Sequence, residues 1–247
     1  AIHSFPTRRS SDLWRQIEGS LGAVLPAIKD ADAGIRSAAV QALGILGGPR
    51  QVADLVALAQ KTQDSKERGD VEKALLAVSG RSGAACVPDL LPLMQSSDGT
   101  LRMVGLHAMA IVGGPAALAV VKDATQDKDE TVQDEAVRTL STWPNNWPED
   151  TAAADALLAL AKSGKKVSHQ VLGLRGYLQY LRGEKALAAD KKVAKVEDLL
   201  GLIQRPEEKR LAVSVLGGIP AAGAFDLLTK FAADPAVTEE ACSAMFN

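Results

Sequence analysis

Apolar residues recur at helical spacing along most of this chain, and short polar turns interrupt them at regular intervals. Between 28 and 49 an acidic turn (Asp30, Asp32) opens the run IRSAAVQALGIL, which Gly47-Gly48-Pro49 closes. The arrangement returns at 93–115 as LMQSSDGTLRMVGLHAMAIVGGP. Gly47 and Gly113 lie 66 residues apart, two units of about 33, a period that belongs to helical-hairpin repeats. Each stop has a physical reason, since Gly takes a left-handed cap readily and Pro cannot extend the ladder.

The same periodicity predicts the other elements. First helices of successive hairpins fall at 14–29, 51–63, 84–95, 116–125, 151–162, 186–203 and 221–233. Their partners fall at 35–46, 66–79, 100–112, 130–142, 167–181, 207–216 and 237–246. Trp14, Ile17, Leu21, Val24, Leu25 and Ile28 form the apolar face of the first. Pro88 and Pro92 are expected in the first turn of 84–95 or at a kink. Residues 143–148, WPNNWP, predict a longer loop, because two prolines and two asparagines do not continue a helix. Trp143 and Trp147 there either cap a hydrophobic seam or face a partner.

Aligning the second helices puts Leu43, Leu75, Met109, Leu140, Tyr177, Leu216 and Met245 in one core column, at spacings of 29 to 39 residues. A small-residue column holds Ala39, Val71, Gly105, Ala136, Gly173, Ala212 and Ala241. A glycine inside a helix costs about 1 kcal/mol against alanine. Gly105 and Gly173 therefore either mark a close approach by a neighbouring helix or are merely tolerated.

Composition agrees with a helical core. The 247 residues are 47% hydrophobic but only 4% aromatic, whereas a sandwich or barrel wants more aromatic and β-branched side chains. The net charge of −2 excludes a globally basic nucleic-acid binder, though not a local basic patch. No apolar run approaches the length of a membrane span. Cys86 and Cys242 stand alone, which excludes a disulfide-dense scaffold and leaves the compartment open.

Candidate chemistry is sparse. No nucleophile motif, zinc motif or phosphate-cradling glycine loop is present, so neither a catalytic residue nor a cofactor is expected. His107 and His169 have no carboxylate or cysteine at metal spacing, and both read as satisfied surface histidines. Met103 and Met109 suit core or groove rather than copper. Cys242 occupies an alanine-like helix position and reads as a buried structural thiol.

Residues 3–13, HSFPTRRSSDL, resemble the translation of a sequencing-adapter oligonucleotide. They are read as a non-native leader, with a basic targeting tail as the alternative. The native segment is then 14–247, truncated at both ends, and its start says nothing about a signal peptide.

The acidic turn followed by apolar-Arg and Ala-x-x-Ala-Leu-Gly-x-Leu-Gly resembles a HEAT repeat of the bacterial kind. Ile35-Arg36, Ala39, Ala42-Leu43-Gly44 and Leu46-Gly47 carry the likeness; Leu101-Arg102 with Gly113, and Val132 with Ala136 and Leu140, extend it. The resemblance spans roughly 14–247 and implies an all-α, right-handed α-α superhelix of about seven hairpins. It further implies a turn ladder pairing Asp30 or Asp32 with Arg36, and Asp98 with Arg102. That ladder should break at Asp127 and Asp234, where Gln133 and Thr238 replace the arginine. HQVLGLRGYLQYL, RPEEKRLAVSVLG and DPAVTEEACSAM resemble HEAT segments of large secreted bacterial proteins. They point to flanking domains and to a secreted or periplasmic location.

In such stacks the second helices line a concave surface. Two residues before each core side chain the column reads Gln41, Lys73, His107, Arg138, Arg175, Ser214 and Ser243. Lys73, His107, Arg138 and Arg175 form a cationic row that would favour an acidic partner: a carboxylate-rich protein or peptide, an anionic glycan or a phosphate backbone. Otherwise the row is a solvated face with pairs such as Arg138 to Asp134. The leading function is a non-catalytic interaction scaffold. A bilin lyase of HEAT-like build, or another enzyme-associated HEAT module, is the alternative. A nucleic-acid-binding HEAT-like protein is the third reading, and nucleic acid is not expected, because the groove lacks aromatics to stack a flipped base.

Overall fold

A computed structural model describes residues 19–246, all of whose regular structure is helical. Helix α1 covers 19–27 within that range, so Trp14 and Ile17 lie outside the described residues, as does the leader. The chain divides into two compact units, Ala1–Val112 and Gly113–Asn247. The first holds α1, α2 (Ala33–Leu46), α3 (Gln51–Lys61), α4 (Ser65–Ser82), α5 (Val87–Met94) and α6 (Gly99–Val112). The second holds α7 (Gly114–Ala124), α8 (Glu130–Asn146), α9 (Ala153–Ser163) and α10 (Val167–Gly183). It continues with α11 (Ala189–Glu197), α12 (Pro206–Leu216), α13 (Ala222–Ala232) and α14 (Thr238–Ala244). The class is an all-α solenoid of paired helices.

The even-numbered helices are the second helices of the hairpins, and they stack directly on one another: α2, α4, α6 in one unit and α8, α10, α12, α14 in the other. Leu43, Leu75, Met109, Leu140, Tyr177 and Leu216 are all buried, while Met245 is half-buried. Every member of the small-residue column is buried as well. Tight stacking explains two glycines. A Cβ on Gly173 would sit 2.6 Å from the backbone nitrogen of Ala161 and 2.9 Å from the carbonyl of Leu157, so α9 crosses α10 there. Gly176, which the column did not mark, plays the same part against α8, with Ser141 Cα at 3.0 Å. Gly105 differs, because its space is taken by the flexible Met94 side chain.

The predicted loop at 143–148 is largely helix, since α8 runs on to Asn146 with Pro144 inside it. Burying the Trp143 side chain outweighs the one ladder bond that Pro144 cannot make. The indole nitrogen of Trp143 donates to Asp150 at 3.1 Å. Trp147 lies on the backbone of Gly113, where a Cβ would meet Cε2 at 2.1 Å. Gly113 also has φ +66°, so conformation and space both demand glycine there. Gly47 closes α2 differently, in extended backbone at φ −65°. The predicted helix 84–95 is split into a 3₁₀ turn, Gly83–Cys86, and α5, with Pro88 at the α5 start and Pro92 inside. The predicted helix 186–203 shortens to Ala189–Glu197. Cys86 is buried, but Cys242 is exposed rather than a buried thiol, because it points away from the neighbouring Ala241 that fills the core.

Gly173→Ala is expected to cost about 1–3 kcal/mol as overpacking. At Gly69, where a Cβ meets nothing within 4 Å, alanine should instead stabilise by about 0.5–1 kcal/mol. Urea denaturation of both variants checks this, and equal effects would remove the close-approach argument.

Candidate functional site

The first polar feature to account for is the turn that opens each second helix. Four backbone N–H groups at a helix start lack partners within the helix. Asp32 accepts from the N–H groups of Gly34 and Ile35 at 2.7 and 3.1 Å. Asp64 does the same for Lys66 and Glu67 at 3.0 and 2.9 Å. Asp98 takes Thr100 at 2.8 Å and Asp129 takes Thr131 at 2.9 Å. These carboxylates serve their own helices.

The arginine four residues after the cap therefore turns to the loop carbonyls. Arg36 donates to the carbonyls of Asp30 and Ala31 at 2.8 and 2.9 Å. Arg102 donates to those of Ser96 and Ser97 at 2.8 and 3.2 Å. Arg68 reaches the carbonyl of Thr62 at 3.0 Å, and Gln170 that of Gly164 at 3.0 Å. In each case the side chain clamps the carbonyl six residues behind it. Asp30 thus meets Arg36 through its backbone, while its carboxylate accepts the N–H of Asp32 at 2.9 Å. Arg68 and Gln170 were not singled out from the sequence. The clamp spacing of six, which they share with Arg36 and Arg102, was the available signal.

Charge pairing runs between repeats instead. In the first unit Arg36 binds Glu67, and Arg68 reaches Asp98 at 3.3 Å. His107 Nδ1 donates to Glu72 at 2.7 Å. In the second unit Lys166 and His169 both donate to Asp134 at 2.7 Å. Arg175 binds Glu208 at 2.7 Å, Lys209 binds Asp234 at 2.5 Å and Arg210 binds Glu240 at 2.8 Å. Asp234 is therefore supplied with a cation by α12, the second helix of the preceding hairpin, although its own hairpin carries Thr238. His169 is not a surface residue: it is 3% exposed, and its ring is turned inward onto Asp134. The carboxylates respond electrostatically. Asp134 is held below the usual range, first by Lys166 and then by His169. Asp98 is lowered mainly by the Thr100 N–H, Asp234 by Lys209 and Glu240 by Arg210.

The four cations of the predicted row divide two and two between the units. Lys73 has an 80% exposed side chain and only a 3.7 Å contact to Asp70. Arg138 is 66% exposed and pairs with Glu135 at 3.4 Å; Asp134, its expected partner, is taken by Lys166 and His169. His107 and Arg175 hold Glu72 and Glu208, and Glu208 is 1% exposed. Among the described residues no group of three His, Cys, Asp or Glu is arranged to hold a metal ion, and no helix is long and apolar enough to cross a membrane.

Residues 13–76 match the family model of HEAT repeats. No curated protein matches the chain. Among solved structures, the chain is similar to a crystal structure of an engineered protein from the Northeast Structural Genomics Consortium. The two are 18% identical over 92% of this chain and 95% of that one, at a TM-score of 0.45.

Two predictions follow from the pairing. The folded carboxyl of Asp134 titrates below its unfolded value of about 3.9, so its ionisation favours folding above that value. The gain is lost as pH falls through the lowered folded value. The urea midpoint of Asp134→Asn should therefore lie below that of the parent at about pH 7, and the gap should close as pH falls through the lowered folded value. An unchanging gap would contradict the pairing. Arg175→Met strands a buried carboxylate and should cost about 1–3 kcal/mol, whereas Lys73→Met should stay within about 0.5 kcal/mol. Thermal melts compare the two.

Proposed function

We propose that the protein is a non-catalytic scaffold that holds a protein or peptide partner against the exposed faces of its second helices. The observation that carries this reading is a division of labour along each second helix. Core positions from Leu43 to Leu216 are sealed, turn arginines of α2, α4 and α6 are consumed by loop carbonyls, and the remaining face is left open at Gln41, Lys73, Arg138, Ser214 and Ser243. The carboxylates of Asp134, Asp234 and Glu240, all held low by their partners, sit in inter-repeat pairs, which is a structural use for them. HEAT repeats in 13–76 support the same reading, as such stacks commonly present extended binding surfaces.

Of the cationic row, Lys73 and Arg138 are the members free to attract an acidic partner, because each has only a neighbouring carboxylate on its own helix. His107 and Arg175 join the face as spacers that lock successive helices in register.

Selection from a random-peptide display library on the immobilised protein tests this. Enrichment of binders rich in Asp and Glu is expected, and Lys73→Glu with Arg138→Glu should erase that acidic bias. Failure to enrich any peptide over a serum-albumin control would overturn the scaffold reading.

A further inference from the structure

In the first unit the position two residues after each buried core side chain is apolar and open. Ile45 follows Leu43 on α2, Ala77 follows Leu75 on α4, and Ile111 follows Met109 on α6. Ile45 is 76% exposed and Ile111 42%; Ala77 is exposed too. Close approaches hold the three helices in this register. A Cβ on Gly44 would lie 3.1 Å from Cα of Ala74, and one on Gly80 would lie 2.8 Å from Cγ2 of Ile111. Arg81 of α4 donates to the carbonyls of Gly44 and Gly47 at 2.6 and 3.0 Å, which ties α4 to the end of α2. The same register in the second unit holds Thr142, Gln179 and Gly218. Single exposed aliphatics are ordinary and contiguous apolar patches mark interaction surfaces; here close-packed α2, α4 and α6 place three exposed aliphatics at one register on successive helices.

Charge says what kind of segment fits. Helices α2 and α6 contain no Asp or Glu. The last acid of α4 is Glu72, and it is engaged by His107. Lys73, with its side chain 80% exposed, and the exposed Arg81 flank the stripe, and Arg81 meets carbonyls rather than a carboxylate among the described residues. Spacing says what shape fits. Packed neighbouring helices lie about 8–10 Å apart, and an α-helix rises about 10.5 Å in seven residues. A helix crossing the stripe would thus set one apolar side chain per heptad against each of Ile45, Ala77 and Ile111.

We propose that this stripe docks an acidic amphipathic helix of a partner protein, with its aliphatic face on Ile45, Ala77 and Ile111 and its carboxylates towards Lys73 and Arg81. The proposal rests on the scaffold reading and names the partner's chemistry. The probe is a fluorescein-labelled heptad peptide of Leu and Glu, compared by anisotropy with its Leu/Lys counterpart and with a scrambled Leu/Glu order. Saturable binding of the ordered Leu/Glu peptide alone is expected, weakening as salt rises. Ile45→Asp should weaken it at least about tenfold, and Lys73→Glu should weaken it as well. Both residues are exposed, so the melting temperature should not move. Equal binding of the Leu/Lys peptide overturns the proposal, as does full binding by Ile45→Asp. So does a sedimentation shift in which Ile45→Asp splits a dimer, since the occupant would then be a second copy of this chain. If library-selected peptides bind while the Leu/Glu peptide does not, the stripe assignment falls and the scaffold reading stands. If neither binds, both fall.

Discussion

A helical hairpin cannot cover its own apolar stripe, and every other feature of this protein answers to that shortfall. The uncovered side must lie against the next hairpin, so stability comes from neighbours rather than from any one element. Leu43, Leu75 and Met109 in one unit, and Leu140, Tyr177 and Leu216 in the other, are the side chains that close those contacts. Close contact in turn selects small residues. Gly173 and Gly176 admit the backbones of α9 and α8 to α10, at positions where any side chain would push the helices apart.

Stacking helices this closely leaves a polar problem at the turns. Helix starts offer N–H groups and the loops before them offer carbonyls, and neither may be stranded away from water. The chain divides the work. At α2, α4 and α6 the cap aspartate takes the N–H groups, and the arginine four positions on reaches back to the carbonyls. Gln170 fills the second role where no arginine is present, which shows that the clamp depends on N–H donors at the right reach and not on charge.

Charge is used one level higher, between repeats. Pairs such as Arg36 with Glu67 and Arg175 with Glu208 join successive second helices, and Lys209 with Asp234 joins α12 to the turn before α14. A pair in solvent contributes little, but one whose carboxylate is as buried as Glu208 penalises any slip that would leave it alone. The surface that remains after these commitments is what a partner meets. In the first unit it is aliphatic beside cations; in the second the corresponding positions are Thr142, Gln179 and Gly218.

The repeat and its core were legible along the chain because helical periodicity and a spacing near 33 are local signals. The core column from Leu43 to Leu216, the exposure of Lys73 and Arg138 and the acidic turns all followed from counting residues. Which partner each polar group chooses could not be counted out. Asp30 or Asp32, and Asp98, were expected to hold the arginines of their own helices, yet the Asp32 and Asp98 carboxylates accept from N–H groups at the helix starts, and Arg36 and Arg102 donate to loop carbonyls, that of Asp30 among them. His169 looked like a surface residue until α8 brought Asp134 against it. Trp143 lay in a stretch that two prolines mark as loop, and only the core it fills kept α8 helical as far as Asn146. Local pattern set the elements; contacts between residues about thirty positions apart decided what each charged or aromatic side chain does, because those distances exist only once the hairpins have stacked.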